Sequence, residues 1–246
     1  MKAKLLLCIL ALLLGAIAYS AQDSADGEAP SADAGGSGDA ALVEEPIQVG
    51  GEDASTVQVA NLIYSRVKSS KCFSDHFLVK ADNDSAITTS QRFHAVKLES
   101  DDLFQYPFVI MTGEGAFSLT EKERENLKKY CENGGFLLAS AGCSSKEWNA
   151  SFRAEIERIW PDAKLQKLPM SHPVFHTVYD ISGLSTKHGA PNPLEGLSLA
   201  GKLVLIYSQD GLNDTANTSG CCCCGGNEIA NAEQINVDIL AYALIF

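Results

Sequence analysis

The residues of this chain with the most chemistry to offer are its cysteines. Four are consecutive, Cys221, Cys222, Cys223 and Cys224, set between Gly220 and Gly225. Thiolates take zinc-class ions and also pair into disulfides. One ion cannot collect all four, because neighbouring side chains on an extended chain point to opposite sides. Two of them with Cys143 or a histidine would complete a tetrahedral set, for which zinc is the fitting cofactor. The alternatives are a vicinal disulfide that cycles redox state, or pairing with Cys143 or Cys72. Cys143 stands where a short apolar run gives way to a helical pattern. A thiol just ahead of a helix N-terminus has its thiolate favoured by unpaired N–H groups, which makes Cys143 the candidate nucleophile. Its other readings are a metal or redox partner and a plain buried thiol. Cys131 falls on the apolar stripe of a helix and reads as packing.

His172 and His176 are four apart, the spacing of a metal-binding pair on a helix. Pro173 between them argues for a turn, in which His172 would hydrogen-bond backbone, although two rings on a loop can still converge on a metal. The candidate metal ligands are therefore Cys221, Cys222, Cys223, Cys224, His172 and His176. Oxygen chemistry comes from Asp210, Asn213 and Asp214 in SQDGLNDTA and from Glu114 between Gly113 and Gly115. Each follows an apolar run, where such groups can bind a cation or a sugar hydroxyl, and each also has an ordinary explanation in turn chemistry. These four are the candidate ligand-binding residues. His76, His94 and His188 suggest no site.

Elements must hold these residues. Apolar runs bounded by turn residues predict strands at Val57 to Tyr64, Phe108 to Met111, Phe136 to Ser140 and Leu203 to Tyr207. Near-continuous hydrophobicity is the mark of strands covered on both faces. A helix is predicted from about Leu119 to Glu132, capped by Ser118 with Glu121, and a second from about Ser144, capped with Glu147 and stopped by Pro161. A last helix starts near Asn231. The pattern predicts a three-layer α/β fold, a mostly parallel sheet with helices on both faces, of the amidotransferase-like or flavodoxin-like kind. In such sheets ligands gather at the carboxyl ends of the strands, where Cys143 falls.

Residues 1–21 carry Lys2 and Lys4, an apolar run from Leu5 to Ala18, and small residues at Ala18, Ser20 and Ala21. This is the pattern of a secretory signal, which engages the membrane only transiently. The run is shorter than the ~20 residues of a spanning helix, and an uncleaved anchor is the alternative to a cleaved signal. Residues 22–56 hold nine acids and no Lys or Arg among Gly, Ala, Ser and Pro, the composition of a disordered spacer. A single domain is expected over 57–246. The whole chain is at −12; setting aside Lys2, Lys4 and the nine acids leaves 17 basic and 22 acidic residues, with no basic stripe for nucleic acid. The expected location is exported, periplasmic or extracellular.

The stretch from Phe108 to Ser145, with strand FVIMTGEG, helix SLTEKERENLKKYCENGG and strand FLLASAGCSS, resembles the central unit of class I glutamine-amidotransferase-like domains. Continuing through HPVFHTVYDI, LEGL, LVLIYSQDGLNDTA, GCCCCGG and INVDILAYAL, the chain resembles the bacterial domain-of-unknown-function family 4159, which is grouped with that superfold. The resemblance runs over 57–246 and rests on the double-His segment and the consecutive cysteines occurring together and in order. It implies the fold and carries no activity with it. The amidotransferase nucleophile would align with Ala141, two positions before Cys143. The His-x-Glu pair of those enzymes has no match near the C-terminus, so genuine glutamine hydrolysis is not expected. The leading expectation is an exported, non-catalytic or weakly catalytic module binding an unknown small ligand or a metal. Its alternatives are a thiol- or metal-dependent hydrolase using Cys143 with His172 or His176, and a structural component of an envelope complex partnered by an envelope protein.

Overall fold

The sheet of the computed structural model has seven strands in the order β2-β1-β3-β4-β7-β6-β5. Residues 55–65, 72–218 and 226–246 are described, and Gln48–Phe246 groups as one unit by its contacts. The expected signal and almost all of the acidic spacer lie outside the described residues, as do Cys221, Cys222, Cys223 and Cys224. Strands β1 (Val59–Ile63), β2 (His94–Lys97), β3 (Phe108–Gly113), β4 (Phe136–Ala141) and β7 (Lys202–Ser208) run parallel. Strands β6 (Glu195–Leu199) and β5 (Gln166–Lys167) add an antiparallel edge. The β6–β7 hairpin closes through Ala200 and Gly201, both at positive φ (49° and 82°), the turn whose twist matches its strands.

Successive strand residues feed two separate cores, as a period of two requires. Val109, Met111, Leu137, Ala139, Leu205 and Tyr207 pack toward helices α2 (Glu121–Glu132) and α3 (Lys146–Ile159). Phe108, Ile110, Phe136, Leu138 and Ile206 pack toward α1 (His76–Asp84), α4 (Ala232–Ile245) and the 3-10 turn Pro173–Phe175. The predicted α/β architecture is therefore observed, with helices on both faces. From β1 the chain steps outward to β2 and then crosses back to β3 on the other side of β1, which is a topological switch point.

Two helix starts differ from the sequence expectation. α2 is capped by Thr120, not Ser118: Glu123 N donates to Thr120 Oγ1 (3.2 Å) and Thr120 N donates to Glu123 Oε2 (2.7 Å). Ser118 is instead bonded to Glu155 Oε1 (3.2 Å). α3 is capped by Ser145, which accepts from Trp148 N (3.2 Å), because Ser144 is held in the left-handed region and its hydroxyl is bonded to Asp210.

Asp238 fastens α4 to the segment after the 3-10 turn. Its fully buried carboxylate accepts from Val178 N (2.7 Å) and Tyr179 N (2.9 Å) through Oδ1, while Oδ2 has no hydrogen-bond partner among the described residues. Burial pushes its pKa up, against the two backbone N–H groups and His176, which lower it. A raised carboxyl pKa means the native state binds protons more readily than the unfolded chain, so this group's contribution falls as pH rises through the carboxylate range. Asp238→Ala is expected to cost about 2 kcal/mol by orphaning two N–H groups. Asp238→Asn keeps the acceptor and removes the charge, so it is expected to be neutral or stabilising at pH 7, with that advantage shrinking as pH falls. Urea melts of both variants at pH 7 and pH 5 check the pair.

Candidate functional site

The carboxyl edge of the central strands is floored by a buried polar hub at Asn213, which has no exposed surface. Its Oδ1 accepts from Ser140 Oγ (3.1 Å) and Thr112 Oγ1 (3.5 Å), at the ends of β4 and β3. Its Nδ2 donates to Glu228 Oε1 (2.7 Å). Ser140 Oγ in turn accepts from Leu212 N (2.8 Å), and Asn213 O accepts from Ser74 N just before α1. One amide thus joins β3, β4, the loop after β7 and the segment preceding α4. Such a chain of bonds is stable in a dry interior only because each member is satisfied.

Above this floor the chain leaves β4 through an unusual turn. Cys143 (φ 51°, ψ 30°) and Ser144 (φ 54°) are consecutive non-glycine residues in the left-handed region, a conformation that surrounding structure must impose. The surroundings do so. Cys143 N donates to Glu228 Oε1 (3.2 Å), Ser144 Oγ donates to Asp210 O (2.7 Å), and Asn227 N donates to Ser144 Oγ (2.8 Å). Gly226 lies flat on this turn: a Cβ there would sit 2.6 Å from the carbonyl carbon and oxygen of Cys143. The half-buried Cys143 thiol lies 3.6 Å from Glu114 Oε1, and the Glu114 carbonyl accepts from Ser145 Oγ.

The turn opens on a polar crevice of about 340 Å³, within the usual size of small-ligand sites. Cys143, Lys146, Asn149, Asn192, Gln209 and Asp210 are among its lining residues. Arg153, one turn along α3 from Asn149, sets the orientation of two of its amides. Arg153 Nε donates to Asn149 Oδ1 (2.9 Å) and its Nη2 to Gln209 Oε1 (3.2 Å). A guanidinium only donates, so the oxygen end of each amide faces Arg153 and its N–H₂ group is turned away from the guanidinium. Tyr207 OH donates to the same Asn149 oxygen (2.6 Å), Arg153 pairs with Glu195, and the guanidinium lies 5.2 Å over the Tyr207 ring. Asp210 is buried and accepts from Asn192 N (2.6 Å) and Nδ2 (2.7 Å), which fastens the loop that forms the far wall.

Of the residues singled out from sequence, Cys143, Glu114, Asp210 and Asn213 come together at this edge. Asp214, at φ 52°, turns instead toward His76 and Glu233. The expected metal set of Cys221, Cys222, Cys223 and Cys224 with His172 and His176 is not assembled among the described residues: the four cysteines lie outside them, and the two histidines are far from this edge. His172 Nδ1 accepts from Val174 N (3.2 Å) and its ring lies 5.5 Å from that of Tyr242, near the end of α4. Tyr242 also touches Phe136, the first residue of β4, whereas Cys143 follows the last. The strand between spans roughly 17 Å at ~3.3 Å per residue, so the structure does not bring Cys143 together with His172 or His176. Burial lowers the His172 pKa; His176, bonded to Met170 O (2.7 Å) and Asp180 (2.6 Å), has its pKa raised by those partners in that order. Cys131 is buried in the α2 core, and burial pushes its thiol pKa far up, which suits packing. Cys72 is disulfide-bonded.

Sequence reasoning missed Glu228, Asn192, Asn149, Gln209 and Arg153. The one local signal was the Asn149–Arg153 spacing of four on a helix face.

No curated protein matches the sequence. The profile of the family described as a domain of unknown function, DUF4159, matches residues 60–244, which takes in every strand but the first residue of β1 and every residue of the crevice. By that match the chain belongs to the DUF4159 family.

Proposed function

We propose that the protein is an exported binding module of amidotransferase-like fold whose ligand, a small oxygen-rich molecule, docks in the crevice beside Cys143. The observation that carries the reading is the fixed orientation of Asn149 and Gln209. Arg153 takes their oxygens, so the groups offered with Lys146 are hydrogen-bond donors, complementary to carboxylate or hydroxyl oxygens. The carboxylates of the edge are already committed inward, Asp210 to Asn192 and Glu228 to Asn213 and Cys143 N. Lys146 is the cation among the lining residues, and Glu114 beside the Cys143 thiol is the carboxylate of this edge that stays exposed. The signal-like N-terminus supports export, and the disulfide at Cys72 suits an oxidising compartment. Among the described residues no helix is long and apolar enough to cross a membrane.

One observation favours a second reading, a thiol-dependent hydrolase: the Cys143 thiol sits on a strained turn that opens on the same crevice. His172 and His176 at the opposite edge do not supply its base.

The test is an NMR titration of the full chain with acetate, succinate and glucose, following the side-chain amide signals. Asn149 and Gln209 are expected to shift with at least one probe. Arg153→Met, which keeps a long apolar stem and removes the guanidinium, is expected to weaken that probe at least ten-fold by letting both amides turn. Shifts confined to residues outside the crevice, or an unchanged affinity in Arg153→Met, would count against the reading.

A further inference from the structure

We propose that His76, Asp214 and Glu233 form a binding site for one divalent first-row transition-metal ion, separate from the crevice and independent of the ligand reading given for it. The three residues come from three elements: the first residue of α1, the loop after β7, and the first turn of α4. Each offers one ligand atom, and these atoms all lie within 4.8 Å of one another. His76 Nδ1 and Glu233 Oε1 are 2.5 Å apart.

An ordinary histidine–carboxylate ion pair accounts for two of the three groups. It does not account for Asp214. That carboxyl is half-buried, on a residue in the left-handed region (φ 52°, ψ 55°), and its Oδ2 accepts from Asn217 Nδ2 (2.7 Å). Burial and the nearby Glu233 both act against its charge, while Asn217 and His76 favour it less strongly than burial opposes it. Two carboxylates converge on one histidine; Lys80 also acts on Glu233 but is bonded to Asp84 (3.0 Å), so a dication at the centre of the three would balance what these partners do not.

The geometry is within reach. Ions of this class bind nitrogen and carboxylate oxygen at about 2.0–2.2 Å, which sets neighbouring ligand atoms roughly 3 Å apart in an octahedral site and roughly 3.5 Å apart in a tetrahedral one. The His76–Glu233 pair at 2.5 Å must therefore open by about 0.5–1 Å. The His76 side chain is 53% exposed, so it is the partner with room to change rotamer, while Glu233 at 23% is held more closely. The backbone beneath is anchored: Ser74 N donates to Asn213 O (2.8 Å) and His76 N donates to Ser74 Oγ (3.1 Å), tying the start of α1 to the residue before Asp214. The positive ends of α1 and α4 oppose a cation, but solvent-screened helix ends act more weakly than two carboxylates in direct coordination.

Ligand type sets the class of ion. An imidazole is not a ligand for calcium or magnesium, which take all-oxygen cages. With no thiolate in the cluster, the set of one nitrogen and two oxygens suits zinc, manganese or cobalt(II). Three protein ligands leave at least one coordination position to solvent, as in open metal sites.

Cobalt(II) is the probe, added to the full chain with its disulfides intact and followed by absorption. One ion per chain is expected with weak d–d bands. An ion held by sulfur would instead show an intense near-ultraviolet thiolate band, which separates this site from any bound by cysteines. His76→Ala and Glu233→Gln are each expected to weaken the thiolate-free site at least ten-fold while leaving the far-UV circular dichroism unchanged, and Cys143→Ser is expected to leave it alone. Glu233→Gln keeps the test decisive if His76→Ala misfolds. Cobalt seen only with a thiolate band, no binding in the wild type, or wild-type affinity in both variants would overturn the proposal.

Discussion

Asn213→Ala is expected to lower the unfolding free energy by about 3 kcal/mol and to loosen the whole carboxyl edge. The side chain removed is fully buried and serves three partners at once: Ser140 Oγ, Thr112 Oγ1 and Glu228 Oε1. Alanine leaves the two hydroxyl donors and the carboxylate without this partner in a site water reaches poorly, and each buried polar group so stranded costs about 1–3 kcal/mol. Glu228, no longer held from below, also loses its fixed position under Cys143 N, the bond that helps keep the left-handed turn. The expected signature is therefore double: a lower urea midpoint, and faster hydrogen exchange at Cys143 and Leu212. A loss below 1 kcal/mol would mean the hub is not what joins these strands.

Gly211→Ala is expected to cost about as much, near 3 kcal/mol, by a different route. Gly211 has φ +95°, which an L side chain adopts only under strain of about 1–3 kcal/mol. A Cβ there would also stand 2.7 Å from the carbonyl oxygen of Ala141, and backbone cannot turn aside as a side chain can. Relief requires the loop after β7 to move off the end of β4, which carries Leu212 and Asn213 away from Ser140. Gly115→Ala, where nothing lies within 4 Å of the new Cβ, is the control and is expected to stay within about 0.5 kcal/mol of the wild type. Thermal melts of the two variants side by side decide the comparison.

The central strands were legible because burial on both faces writes itself into the sequence. β3 and β4 are buried at all six positions, and β7 at six of seven, so each appears as an unbroken apolar run. β2 was not legible: it is an edge strand of four residues, HAVK, with only Val96 buried. β5 is two exposed residues, Gln166 and Lys167, held by pairing with β6 rather than by any pattern of their own. α1 buries only Phe77, Leu78 and Ala81 over nine residues, too brief a stripe to read as a period.

The site divides in the same way. Cys143, Glu114, Asp210 and Asn213 could be found because they follow strands, and chain direction alone takes them to one edge. Glu228 and Asn192 reach that edge through contacts 15 and 18 residues distant, and Arg153 meets Gln209 across 56. No local pattern encodes such meetings. The helix caps slipped by one or two residues for a related reason. Ser118 and Ser144 have the right chemistry for capping, but tertiary bonds to Glu155 and Asp210 take their hydroxyls first.

The most direct test of the central claim, that the crevice beside Cys143 is the ligand site, is a crystal soak with a library of small carboxylates and polyols. The account predicts that bound fragments gather against Lys146, Asn149, Asn192 and Gln209, with their oxygens facing the amide N–H₂ groups that Arg153 orients. Fragments gathering elsewhere on the molecule while this crevice stays empty would contradict it.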